Sequence, residues 1–222
     1  IFMHKTVHNL INIQNFIKSK QSVLKNNYTV PKIIAVSKTF KLNHILPLIE
    51  YGHLDYGENK VQEAVEKWSE IKSTNTKIKL HLIGKLQTNK VKISLKIFDY
   101  IHSLDNEKLA KKISDEQIKQ NLKPKLFIQV NIGNELQKSG IQEEKLVEFY
   151  NYCKELKLNI VGIMCIPPID DDPKVSFSKM SNLKEKMNFK EISMGMSSDY
   201  LDAVKYNSSF LRIGSSIFGP RS

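Results

Sequence analysis

Lys38 directly follows the strand-like run Ile33-Ile34-Ala35-Val36-Ser37, so a strand there would carry its ammonium to the strand's carboxyl end. Burial penalises the charged form of an amine, and the neutral amine is the form that attacks an aldehyde. Far along the chain two loops share an unusual composition. Ser193-Met194-Gly195-Met196-Ser197-Ser198-Asp199 and Arg212-Ile213-Gly214-Ser215-Ser216-Ile217-Phe218-Gly219 each put glycine and serine where a strand ends and a helix can begin. Glycine lets backbone approach a ligand, and hydroxyls beside first-turn N–H groups hold an anion. Together the loops read as a phosphate cradle, with ordinary turns and helix caps as the plainer alternative. A lysine nucleophile facing a phosphate cradle suggests pyridoxal 5'-phosphate (PLP), joined as an internal Schiff base and held by its phosphate. Position alone leaves a solvated rim lysine equally open.

These groups meet only if the fold brings distant strand ends together. The chain alternates short β-branched runs with segments of helical period, the signature of βα units. An opening helix carries Val7, Leu10, Ile11, Ile17, Leu24 and Tyr28 at three- and four-residue steps. Strands are expected at 33–37, 54–56, 80–83, 100–103, 126–131, 159–164, 191–194 and 210–213, several as uninterrupted apolar runs of the kind that parallel strands covered on both faces show. Asn43 is the expected cap of the helix that ends near Gly52, and Val61, Ala64, Val65, Trp68 and Ile71 form one helical stripe. Residues 91–97 alternate as a strand would, yet Val91, Leu95 and Phe98 also fit a helix, and the segment is read as a helix. Further helices are expected at 107–120, along Leu146, Phe149, Tyr150, Cys153 and Leu156, from Asp172 as cap with Pro173 first and Phe177, Met180, Leu183 and Met187 inward, and from Ser198.

Eight strands, each followed by a helix or turn, give an α/β fold: a single (β/α)8 TIM-type barrel with an extra N-terminal helix, filling residues 1–222 as one domain. An open doubly wound sheet would carry a glycine-rich turn after its first strand, whereas Ser37-Lys38-Thr39-Phe40 has no glycine. In a barrel the carboxyl ends of all strands share one mouth, which would collect Lys38 and both loops.

Composition narrows the function. With 222 residues, 41% of them hydrophobic and 26% charged, the chain is neither disordered, collagenous nor a disulfide scaffold. No apolar run approaches the roughly 20 residues of a membrane span, and Ile1-Phe2-Met3-His4 lacks the features of a secretory signal, with Met3 the expected natural start. Cys153 and Cys165 form no CxxC pair and read as core residues in a reducing, cytoplasmic compartment. The net charge of +11 invites nucleic acid, but of 34 basic residues only Arg212 and Arg221 are arginines, and the lysines are spread along the chain. Nucleic acid is therefore set aside as a main partner. No histidine pair has metal-ligand spacing, and GxSxG and Walker A motifs are absent, so no metal is expected. Pro167-Pro168 with Asp170-Asp171-Asp172 reads as a solvated turn and helix cap. Tyr28, Tyr51, Tyr100, Tyr150 and Tyr152 read as packing residues, while Tyr56, ending the second strand, is in position to approach a cofactor.

Six blocks carry a resemblance: Ala35-Val36-Ser37-Lys38-Thr39; Gly57-Glu58-Asn59-Lys60-Val61-Gln62-Glu63; His81-Leu82-Ile83-Gly84-Lys85-Leu86-Gln87-Thr88-Asn89-Lys90; Gln129-Val130-Asn131-Ile132 with Gln137-Lys138-Ser139-Gly140; Ser193 to Ser197 with Asp199; and Arg212-Ile213-Gly214 with Ile217-Phe218-Gly219. In this order, over residues 33–221, the chain is similar to the pyridoxal phosphate homeostasis proteins, also described as proline-synthase co-transcribed. The resemblance implies a fold like the N-terminal barrel of alanine racemase, with Lys38 forming the aldimine. It implies that Ser197 and the backbone of Gly214 and Ser215 hold the phosphate, that Asn59 lies near the ring, and that Arg212 faces the pyridine nitrogen. His81 either lines the mouth or packs, and Met196 and Ser198 are neighbours without roles. A guanidinium stays protonated, so a ring nitrogen facing Arg212 stays bare and withdraws electrons weakly.

A racemase needs a second acid or base, which a tyrosine of another domain supplies in alanine racemase, and this chain is expected to end just past its barrel. The expectation is a PLP-binding protein of vitamin B6 homeostasis that stores or delivers the cofactor and has no assigned catalytic residue. Water, free amino acids and PLP-dependent apo-enzymes are its exchange partners, and it is a monomer or weak dimer. A weak PLP-dependent amino-acid racemase is the alternative, and a nucleic-acid module the third reading.

Overall fold

The computed structural model describes residues 3–24, 30–135 and 137–220. Strands β1 (Lys32–Val36), β2 (Asp55–Glu58), β3 (Lys79–Leu82), β4 (Tyr100–Leu104), β5 (Lys125–Gln129), β6 (Ile160–Met164), β7 (Glu191–Met196) and β8 (Phe210–Ile213) close into a parallel barrel in chain order. Closure is made by β8 on β1, with Ile34 opposite Arg212. Around it lie α1 (Lys5–Leu24), α2 (Leu42–Glu50), α3 (Val61–Thr74), α4 (Val91–Ile97), α5 (Glu107–Gln120), α6 (Leu146–Glu155), α7 (Pro173–Lys186), α8 (Tyr200–Lys205) and α9 (Ser215–Phe218). The expected TIM-type barrel with its extra first helix is thus present. Tyr28 lies outside the described residues.

Residues 91–97 are helical because Val91, Leu95 and Ile97 are buried while Ile93 stays partly exposed, a pattern a half-buried strand would not give. Asp172 caps α7 as expected, accepting the Lys174 N–H at 3.0 Å, with Pro173 next. Asn43 does not cap α2. Lys41 holds the extended position before the helix, and Asn43 lies inside the first turn with its Oδ1 3.0 Å from His44 Nδ1. The helix expected from Ser198 begins instead at Tyr200, because Asp199 Oδ1 takes the Met196 N–H and closes a separate turn over 196–199. β7 consequently runs two residues further than expected, and the helix that can begin after the last strand is the single turn of α9.

Two layers of side chains fill the molecule. Between barrel and helices, Trp68 and Tyr56 are fully buried with rings 4.7 Å apart. Tyr56 therefore does not approach the mouth; β2 continues two residues beyond it, and its ring turns outward onto α3. Tyr51 is half exposed and packs little. Inside the barrel, Ile34, Tyr100, Phe127, Met164 and Phe210 form a compact apolar cluster. Gly57 leaves it room: a Cβ there would sit 2.8 Å from Ile34 Cγ2. Into this cluster project four polar side chains, His81, His102, Ser193 and Arg212, all buried.

Candidate functional site

At the carboxyl ends of the strands a cavity of about 360 Å³ is lined by Lys38, Asn59, Ser197, Arg212, Gly214 and Ser215, together with Val36, Ile83, Ile166, Met196 and Ser198. All six residues nominated from sequence share it, although they come from loops up to 177 positions apart, from Lys38 to Ser215. Lys38 and Arg212 are the ionisable side chains lining it among the described residues. A second cavity, of about 310 Å³, opens at the opposite barrel end among Lys32, Lys184, Lys190 and Glu191. It lies away from the strand carboxyl ends, where barrels gather reacting groups.

Lys38 is half-buried on a turn that other side chains clamp from behind. Ser37 Oγ donates to Glu58 Oε1 at 2.7 Å, and the Ser37 carbonyl accepts from Lys67 Nζ at 2.9 Å. On the other flank the Thr39 N–H donates to Glu63 Oε1 at 2.6 Å. Thr39 has φ 67°, a left-handed conformation that costs a β-branched residue about 1–3 kcal/mol and persists only where surroundings enforce it. Burial raises the Glu63 carboxyl, but the Thr39 N–H and Lys67 outweigh it and hold it below the usual range. The backbone on both sides of Lys38 is thus pinned by α3 and the end of β2.

Across the cavity, Ser197 Oγ accepts the N–H groups of Gly214 and Ser216 at 3.2 and 3.4 Å. Two backbone amides from the β8–α9 turn therefore converge on one oxygen atom at the cavity wall. Gly195, at φ 93°, permits the preceding backbone path; a Cβ there would fall 2.6 Å from that of Ala203. Burial raises the Asp199 carboxyl above the usual range, partly offset by the Met196 N–H and Arg212. These donors, amides and hydroxyls without a lining carboxylate among the described residues, fit a phosphate. Val36, Ile83 and Met196 offer apolar walls suited to a flat ring, and Gly84 lets the next loop press on Asn59, whose carbonyl oxygen a Cβ would meet at 2.3 Å.

Arg212 reaches the cavity from within the barrel. Its Nη1 donates to Ser193 O at 2.8 Å and Ser193 Oγ at 2.7 Å, and its Nη2 to Cys165 O at 2.8 Å. Ser193 Oγ also contacts His102 Nδ1, His102 Nε2 contacts His81 Nδ1, and His81 Nε2 contacts Asp55 Oδ1, each at 3.0 Å. His81 is therefore packed in the barrel and does not line the mouth. Burial lowers the pKa of His102 strongly and those of His81 and His53 as well. The unfolded chain then binds more protons than the folded one below the ordinary imidazole value of about 6.5, so stability should fall as pH drops through that point. Urea midpoints at about pH 7.5 and 5.5 should differ in this sense, with a shallower loss in His102→Gln; a midpoint that rises toward acid would contradict neutral burial.

The model for the N-terminal domain of alanine racemase matches residues 9–222. A pyridoxal phosphate homeostasis protein of Haemophilus influenzae is 34% identical over 226 residues, covering 97% of this chain and 95% of that one. This chain belongs to the pyridoxal phosphate homeostasis protein family. Within the family, PipY of Synechococcus elongatus, solved with PLP bound, is 30% identical with a TM-score of 0.77, covering 91% of this chain and all of that one. Alanine racemase of Clostridium difficile shares the fold at 16% identity and a TM-score of 0.71, over 96% of this chain and 56% of the racemase.

Several residues around the cavity were not singled out from sequence. Glu63 and Lys67 were legible as an oppositely charged pair four apart on a helix, here 3.0 Å apart. His102 had a subtler signal, a histidine in a strand that is buried along its whole length. Ser193 carried none beyond its motif.

Proposed function

We propose that this chain binds PLP in the mouth of its barrel and holds it for storage or delivery in vitamin B6 homeostasis, with residues 1–222 acting as one domain. The observation that carries the reading is the cavity that brings Lys38 together with Ser197, the Gly214–Ser215 backbone and the buried Arg212 guanidinium. The PLP bound to PipY supports it. When bound, PLP supplies an electrophilic aldehyde to which a neutral primary amine adds with loss of water. In this chain Lys38 supplies the amine, and the clamp on Ser37 and Thr39 orients it. Ser197 with the backbone of Gly214 and Ser215 holds the phosphate, Asn59 lies against the ring, and Arg212 faces the ring nitrogen as a donor that keeps its proton.

Carriage, not turnover, is the reading favoured by the lining. Moving an α-proton across a ring takes two acid–base groups on opposite faces, and Arg212 holds its proton. Free amino acids and the lysines of apo-enzymes are the recipients proposed, with the chain a monomer or weak dimer. The two unpaired, buried cysteines, whose thiols burial pushes up to about 12, suit a reducing cytoplasm. Among the described residues no helix is long and apolar enough to cross a membrane.

The test is absorbance titration with PLP, then borohydride reduction and peptide mapping. A phosphopyridoxyl mass on the Lys38 peptide is expected; protein that takes up no PLP, or carries the mark on another lysine, would overturn the proposal.

A further inference from the structure

We infer that Asp55, His81, His102 and Ser193 form a one-way hydrogen-bonded relay that positions the Arg212 guanidinium at the cavity floor. The inference rests on the reading of that cavity as the PLP site and extends it to residues that do not line it. None of the four is among the cavity's lining side chains.

The two ends of the relay decide its direction. A guanidinium only donates, so Arg212 Nη1 donates a hydrogen bond to Ser193 Oγ. An ionised carboxylate only accepts, so Asp55 Oδ1 accepts a hydrogen bond from His81 Nε2–H. Burial pushes the Asp55 carboxyl up, but the His81 contact together with Lys32 and His53 more than offsets this and holds it below the usual range. Each neutral group between the ends must then receive on one side and give on the other. The hydroxyl of Ser193 donates to His102 Nδ1, His102 Nε2–H to His81 Nδ1, and His81 Nε2–H to Asp55. The reverse order would require Asp55 to donate and would turn both His102 and Arg212 toward one serine oxygen.

Packing prevents the rings from escaping this order. His81 stacks on Tyr100 with centroids 4.3 Å apart and planes 11° apart, and His102 stacks on Phe127 at 4.3 Å and 18°. Both imidazoles are fully buried. The charged and titratable groups facing them are Asp55 on β2 with His53 just ahead of it, Lys32 on β1, Asp99 ahead of β4, Tyr100 on β4 and Arg212 on β8. Five polar side chains in an apolar barrel cost more than apolar packing unless each is satisfied. The relay satisfies them, and it sets an ionised carboxylate at one end against the buried cation at the other. Asp55 is its solvent-reaching end, with a side chain 17% exposed. His81 and His102 are thus positioning residues for a group that meets the ligand.

Two readouts test this. Imidazole 15N NMR on protein without PLP should show both rings neutral, with Nε2 protonated and Nδ1 bare, and unchanged between about pH 8 and 6. The opposite tautomer on either ring, or charging within that range, would overturn the relay. The second readout is PLP affinity in paired variants. Glutamine presents an acceptor at one end and a donor at the other, so His102→Gln should bind PLP within about twofold of the parent, whereas His102→Phe should bind about tenfold more weakly. Asp55→Ala removes only the relay's solvent-reaching end, where water can replace the lost acceptor, and covers the case in which the phenylalanine variant fails to fold. It should give mixed His81 tautomers and PLP affinity several-fold weaker. Parental affinity and parental tautomers in Asp55→Ala would refute the inference. If the parent itself captures no PLP, the cavity reading fails while the tautomers still judge the relay.

Discussion

Lys38→Ala will take up no borohydride-stable PLP, and its spectrum will lack the absorbance of a lysine-bound aldehyde. The side chain is the one primary amine lining the mouth cavity among the described residues. The phosphate half of the site does not depend on it, because the amides of Gly214 and Ser216 converge on Ser197 from the other side of the barrel. The variant should therefore retain measurable, phosphate-dependent affinity for PLP, displaced by inorganic phosphate, while the covalent adduct disappears entirely. Its fold should be unchanged, since Lys38 is half-buried on a turn held by its neighbours' backbone. Equilibrium dialysis beside peptide mapping separates the two halves. An undiminished adduct in Lys38→Ala would move the aldehyde-binding amine elsewhere, and complete loss of noncovalent binding would mean that the amides do not grip the phosphate.

The barrel was legible because several of its strands are apolar runs that need no partner to be recognised, such as 33–36 and 160–164. The cavity residues were legible for a related reason: Lys38, Ser197 and Gly214 each sit just past such a run, and barrel topology sends every strand's carboxyl end to one mouth. Side-chain direction was harder to read. Successive residues on a strand face opposite ways, so extending β2 to Glu58 moved Tyr56 from a presumed cavity edge to the helix layer. The relay was illegible for a different reason. His102 and Ser193 lie 91 positions apart and meet only because both point inward at matching heights, which depends on register. Local competition explains the smaller misses. Asp199 spends its carboxylate on the Met196 N–H and ends the turn where a helix was expected.

The clamp behind Lys38 leads to the largest expected effect on stability. Glu58 is fully buried, and its Oε1 accepts from Ser37 Oγ at 2.7 Å and from Lys67 Nζ and Trp68 Nε1 at 3.0 Å each. Lys67 is shared with Glu63, so one largely buried ammonium lies between two carboxylates. Glu58→Ala removes one of them, opens a void beside Trp68, and strands the indole N–H and the Ser37 hydroxyl without their acceptor. Breaking a buried, hydrogen-bonded pair in this way costs about 3–5 kcal/mol. Glu58→Gln keeps the shape and an acceptor oxygen for Ser37 and Trp68 but gives up the charge facing Lys67, so its cost should be smaller, about 1–2 kcal/mol. The order parent, glutamine, alanine should appear in urea midpoints. It should appear also in the rate at which Lys38 captures PLP, because a Lys67 released from Glu58 no longer holds the Ser37 carbonyl, and the strained Thr39 can relax toward ordinary backbone angles. A stability loss without a slower capture would show that the cluster supports the fold alone, and that Glu63 by itself is enough to hold the turn.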